Sequence, residues 1–90
     1  MKHSVTVKVK NKMGLHARPA TAIAKILQGC KSSVHFTYKK DIINAKSIMS
    51  ILMLAAPKNS QIIITAFGED AEIILQRLVD GFDTLFGEIN

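Results

Sequence analysis

The sequence predicts a two-layer α+β domain with the element order β-α-β-β-α-β-α. Segments such as Val5, Val7 and Val9, interleaved with Thr6, Lys8 and Lys10, alternate apolar and polar side chains. Such strands make a sheet with one covered face and one wet face. Three other segments repeat apolar residues every three or four positions, and amphipathic helices are the natural cover for such a sheet. The 90 residues make a single domain, 1–90, with no internal repeat and no low-complexity linker.

The first strand is the alternating run Ser4–Lys10, broken by Asn11-Lys12-Met13-Gly14. From Ala17 the period changes: Ala20, Ile23, Ala24 and Leu27 form one helix face, and Gly29 takes the position after the helix end that glycine favours. Val34, Phe36 and Tyr38 alternate with His35, Thr37 and Lys39 as a second strand, and Ile42 and Ile43 mark a short third one. Ser47 opens a short helix that Pro57 ends. Gln61–Phe67 is β-branched and apolar, a fourth strand closed by Gly68. The last helix runs from Ala71 to about Leu85, with Ile74, Leu75, Leu78, Phe82, Leu85 and Phe86 near one stripe and Gly81 as a weak point inside it.

Composition excludes several classes. One cysteine permits no intrachain disulfide, and three histidines at scattered positions (3, 16 and 35) do not suggest a structural metal site. The longest apolar run, Ile48–Ala56 with Ser50 inside it, is far short of the roughly 20 residues that span a bilayer. The N-terminus alternates from the start and has no secretory apolar block. The expectation is a cytoplasmic protein without membrane insertion, its free thiol suited to a reducing compartment. The net charge of +5 is uneven: residues 1–46 carry ten basic side chains against Asp41 alone, whereas residues 47–90 are net −4. This asymmetry fits two solvated faces of opposite sign by default, and otherwise a positive surface that steers toward an anionic ligand or partner. Nucleic acid is disfavoured because Phe36 and Tyr38, on one strand face, are the sole aromatics in the basic half.

Two helix starts are more than structural. In Gly14-Leu15-His16-Ala17-Arg18-Pro19-Ala20, Pro19 belongs in the first helical turn, which puts His16 at or near the N-cap. Capping alone would select Ser, Thr, Asp or Asn. Gly14 permits a close backbone approach just before it, and Arg18 follows within the same turn. An imidazole, free amide hydrogens and a guanidinium together make an anion site that contains a nucleophile. Phosphoryl transfer to and from a ring nitrogen fits, because that reaction needs mainly positioning and stabilisation of negative charge. In the second segment, Asn44-Ala45-Lys46-Ser47-Ile48-Met49, Ser47 is a plain N-cap candidate. The helix behind it carries no charge through Pro57. Ile51, Leu54 and Ala55 form its core stripe, which leaves Ile48, Met49 and Leu52 either toward the surface as a docking patch or buried under the other helices.

At these two segments, and along nearly the whole chain, the sequence resembles the HPr family, the histidine-containing phosphocarriers of the bacterial phosphoenolpyruvate-dependent phosphotransferase system. The resemblance implies an open-faced β-sandwich, a four-stranded antiparallel sheet covered on one face by three helices. It implies a monomeric carrier without a cofactor, not an enzyme itself, whose His16 accepts a phosphoryl group from enzyme I on Nδ1 and passes it to an enzyme IIA component, assisted by Arg18. Ser47 matches the family's regulatory serine, the target of an HPr kinase/phosphorylase whose product engages a regulatory protein. A phosphate there would bring about −1.5 to −2 of charge beside the apolar patch. Leu15, Thr21, Lys25, Ile48, Met49 and Leu52 would be the docking residues. Some segments depart from the common pattern: Ser50–Met53 is more apolar, Pro57–Ser60 lacks a glycine, and Asn11–Gly14 is closer to the nitrogen-related branch. Two competing readings stay open on the residues alone: a purely regulatory adaptor switched at Ser47, and a small basic nucleic-acid-binding domain.

His3 and His35 are expected as exposed strand residues and Cys30 as an idle thiol. Met13 suits either a docking rim or a loop. Glu69, Asp70 and Glu72 suit the start of the last helix, where acids favour the helix dipole.

Overall fold

The computed structural model describes residues 1–90. Its elements follow in the order β1 (Lys2–Lys8), α1 (Ala17–Leu27), β2 (Ser33–Tyr38), β3 (Asp41–Asn44), α2 (Ile48–Leu54), β4 (Gln61–Phe67) and α3 (Ala71–Asp83), with a 3₁₀ turn over Leu85–Gly87. The four strands form one sheet in the order β1-β4-β2-β3, every pair antiparallel. The last strand to appear in sequence is thus central, with Val5 opposite Ile64 on one side and Phe36 opposite Ile64 on the other.

Alternation decides which face is covered. Ile62, Ile64 and Ala66 of β4 are buried, and so are Val34 and Phe36 of β2. Their neighbours Gln61, Ile63, His35 and Ser33 face solvent. The helices contribute Ala20, Ile23 and Leu27 from α1, Ile51 and Leu54 from α2, and Ile74, Leu78 and Phe82 from α3 to the same core. Phe36 and Phe82 meet edge to face across the sheet–helix boundary, centroids 5.9 Å apart, a contact of about 0.5–1.5 kcal/mol beyond its buried area.

The helix ends correct three sequence expectations. α2 stops at Leu54 because Ala55 turns left-handed (φ 51°) as its cap, so Ala55 is exposed and Ala56 takes the buried place. α3 stops at Asp83 rather than near Leu85. Leu85, Phe86 and Gly87 then all have positive φ (61°, 49° and 81°), which reverses the chain back over its own helix. Gly81 also leaves a slot inside α3: a Cβ there would collide with the Phe86 ring. Asp70 precedes α3, yet its carboxylate serves another segment, accepting from the Lys31 and Ser32 amides (2.9 Å each) and from the Ser32 hydroxyl. No helix is long and apolar enough to cross a membrane.

Candidate active site at the start of α1

Gly14 prepares the turn into α1. Its φ of +70° is readily adopted by glycine, and a Cβ would lie 2.9 Å from the Pro57 Cα. The Leu15 amide donates to the Ala56 carbonyl (3.0 Å), which ties the segment before α1 to the segment after α2. Leu15 itself is buried, 3% exposed. Its side chain anchors the loop in the core and is withdrawn from the docking role the family resemblance assigned to it.

His16 is the N-cap, with extended backbone (φ −85°, ψ −168°) and no side-chain capping bond. Its carbonyl accepts the first helical bond, from the Ala20 amide. The amides of Ala17 and Arg18 have no acceptor in the protein, and Pro19 has no N–H to offer. No acidic side chain occupies the first turn of α1. Two free donors at a positive helix end therefore sit beside the imidazole, the arrangement that attracts an anion. Arg18 is exposed on the same turn. An open groove of about 800 Å³ collects Met13, His16, Arg18, Lys25, Phe86 and Glu88.

The imidazole is half-buried and strongly oriented. Its Nε2 is closed off from solvent and makes no aligned hydrogen bond. The one partner within reach is Glu88, whose Oε2 lies 2.6 Å away. The carboxylate oxygen lies off the N–H direction, so the pair is a close contact and not an aligned hydrogen bond. Glu88 is fixed in turn by Asn11, a fully buried side chain whose Nδ2 donates both to Glu88 Oε1 (2.6 Å) and to the Leu85 carbonyl (2.9 Å). The Glu88 carboxyl is held below the usual carboxylate range, chiefly by the Asn11 hydrogen bond; desolvation opposes this as the next largest influence, and His16 and the charge of Arg18 add smaller lowering contributions. Because Nε2 faces this wall, Nδ1 is the nitrogen left toward the groove.

Ser47 caps α2: its Oγ accepts from the Ser50 amide at 3.2 Å. Ile48, Met49 and Leu52 are exposed, Met49 most of all at 68%. Leu52 shares a groove of about 400 Å³ with Met13 and His16. Ile48 shares another of about 420 Å³ with Thr21, Lys25 and Lys46. Thr21 and Lys25 also line the His16 groove, so α1 and α2 present these side chains on adjoining surface. Thr21 Oγ1 already donates to the Ala17 carbonyl. Two features went unread in the sequence. Met53, 77% exposed, extends the apolar rim. Glu88 and its Asn11 clamp carried no local signal, because their pairing depends on a chain reversal 77 residues away. No cluster of three or more His, Cys, Asp or Glu side chains could hold a metal ion.

Residues 3–84 match the family model described as PTS HPr component phosphorylation site. The chain is 49% identical over 81 residues to the phosphocarrier protein HPr of Chlamydia pneumoniae, spanning 90% of this chain and 75% of that one. The crystal structure of HPr-C-His from Thermoanaerobacter tengcongensis superposes with a TM-score of 0.92 at 35% identity, covering 98% of this chain and 99% of the other. A structure described as an HPr dimer from the same organism aligns at a TM-score of 0.76 with 37% identity, covering 93% and 97%.

Proposed function

The chain belongs to the HPr family of phosphocarrier proteins of the phosphotransferase system, and from that premise we propose that His16 Nδ1 is the atom that carries the phosphoryl group. The observation that supports this most directly is the pairing of a solvent-facing Nδ1 with free Ala17 and Arg18 amides at the helix start. The lone pair on Nδ1 attacks phosphorus, and the donor leaves with the electrons of the bond that breaks. Charge on the transferring oxygens is met by the two amides, the helix dipole and the Arg18 guanidinium. The donor is enzyme I in its phosphorylated form, and the acceptor is an enzyme IIA component. The protein itself acts as a substrate of these partners and turns nothing over alone. We propose that the carrier acts as a monomer in the cytoplasm.

The docking surface is the exposed set Thr21, Lys25, Ile48, Met49 and Leu52 around His16. Ser47 is the regulatory phosphorylation site: a phosphate on its Oγ would set negative charge against Ile48 and Met49 and oppose docking. An HPr kinase/phosphorylase would place it, and a regulatory protein would read it. The adaptor reading alone leaves the oriented His16 without a purpose, and the nucleic-acid reading rests on charge alone.

The test is direct. Enzyme I and phosphoenolpyruvate should label the protein with a phosphate that is lost in acid and stable in alkali, and His16→Ala should abolish the label. Undiminished labelling of His16→Ala would remove the assignment.

A further inference from the structure

The C-terminal reversal packs Phe86 against the core and is held by several further contacts. Leu85, Phe86 and Gly87 adopt positive φ in succession, a costly conformation for the first two. Gly81 leaves the slot that holds the Phe86 ring. Asn11 binds the turn through Leu85, and Asn90 ties the tail down on both sides, its side chain accepting from the Lys12 amide (2.9 Å) and donating to the Lys10 carbonyl (3.1 Å). The result of all these contacts is one carboxylate oxygen against His16 Nε2.

We propose that Glu88 is a positioning residue that keeps the ring proton of His16 on Nε2 throughout the transfer cycle; the proposal rests on the reading of His16 as phosphoryl carrier. A carboxylate oxygen 2.6 Å from Nε2 favours, through its negative charge and without an aligned hydrogen bond, the tautomer with hydrogen on Nε2 and a bare lone pair on Nδ1. Attack from Nδ1 forms the N–P bond and leaves the ring an imidazolium, its proton still on Nε2 and its positive charge beside the carboxylate. When the phosphoryl group departs, the electrons of the N–P bond return to Nδ1 and the leaving group is neutral imidazole. No proton enters or leaves the ring in either direction. Without the Nε2 proton the leaving group would be an imidazolate, a far poorer one. The charged side chains lining this groove are Arg18, Lys25 and Glu88, and of these Glu88 alone is negative.

The clamp allows a sharp test. Asn11 must present Nδ2 to Glu88, because the same nitrogen donates to the Leu85 carbonyl. In Glu88→Gln the amide oxygen therefore takes the Asn11 side, and the amide NH₂ faces His16 Nε2. A donor there demands an unprotonated Nε2 and drives the ring proton to Nδ1. Nitrogen-15 spectra of the unphosphorylated protein, with the imidazole neutral, should show Nε2–H in the native chain and a shift toward Nδ1–H in Glu88→Gln. Phosphoryl transfer should slow on the order of 10- to 100-fold in kcat, with less change in KM, as for outer partners of other functional histidines. Glu88→Ala, which leaves no donor, should show no shift toward Nδ1–H beyond that of an imidazole in water. The same tautomer in native and Glu88→Gln protein, with matching transfer rates, would overturn the proposal. The tautomer is read without any phosphoryl donor, so failure of the carrier reading would show separately, as labelling that survives His16→Ala.

Discussion

Phe86 lies over Gly81 so closely that its ring fills the space a side chain on that residue would need, and its edge meets Phe82 with centroids 4.9 Å apart. This contact turns the end of α3 back toward His16. Gly81→Ala should therefore act against its helix propensity. Alanine in a helix is worth roughly 1 kcal/mol over glycine, but displacing the ring is an overpacking defect of about 1–3 kcal/mol. Denaturant unfolding should show a net loss of about 1 kcal/mol, and the His16–Glu88 contact should open. A gain in stability would show that the ring moves aside freely.

Ser47 has a structural duty separate from any modification. Ser47→Ala removes the acceptor for the Ser50 amide and should cost about 1 kcal/mol, which lowers Tm by roughly 4–8 °C in a domain of this size. Ser47→Asp retains a capping oxygen and should keep most of that stability, while raising the KM of an enzyme IIA acceptor. Calorimetry and transfer kinetics on the two variants separate cap from charge.

Arg18 is exposed and bonded to nothing in the protein, so Arg18→Ala should leave stability within about 0.5 kcal/mol. Loss of its charge from the transfer site should lower the initial rate of phosphoryl transfer on the order of 100-fold. A rate within twofold of native would take Arg18 out of the site.

The apolar rim is predicted to act in docking and not in chemistry. Met49→Glu and Leu52→Glu should raise KM for phosphorylated enzyme I by roughly tenfold or more, since a charge desolvated at an apolar interface is penalised, and leave kcat nearly unchanged. Leu15→Ala should instead destabilise the whole domain by about 2–5 kcal/mol as a core truncation.

Acid should loosen the protein at two carboxylates. Asp70 is held below its ordinary value chiefly by the Ser32 hydroxyl, then by the Lys31 amide, and Glu88 chiefly by Asn11. A carboxyl whose folded pKa is depressed gives stability that is complete above the unfolded value and is lost as pH falls through the folded one. Unfolding midpoints should thus be flat near neutrality and decline below the ordinary carboxylate range. Ser32→Ala should weaken that decline. An identical acid profile in Ser32→Ala and native protein would contradict the assignment.

Periodicity made the layers legible because burial imposes period 2 on β1, β2 and β4 and period 3.6 on α1 and α3. The same logic exposed Ile48, Met49 and Leu52, since a two-turn helix at the edge of the layer cannot bury every side. His16 stood out as the wrong residue type for a cap. Leu15 was misjudged because an apolar side chain next to a functional one fits docking and packing equally well in sequence. The end of α3 was misjudged because Leu85 and Phe86 continue the apolar stripe while their backbone abandons the helix. Glu88 was illegible for a different reason: a long-range clamp between Asn11 and the tail leaves no trace in local pattern.

The placement of β4 between β1 and β2 has a consequence for biogenesis. The two strands made early on the ribosome share no ladder with each other and meet only through residues 61–67. Up to that point a nascent chain can close the β2–β3 hairpin but not the sheet. The setting around His16 waits longer still, until residue 88 emerges and swings back to Asn11. A chain that stops short of residue 88 would thus hold the imidazole without the carboxylate that faces its Nε2.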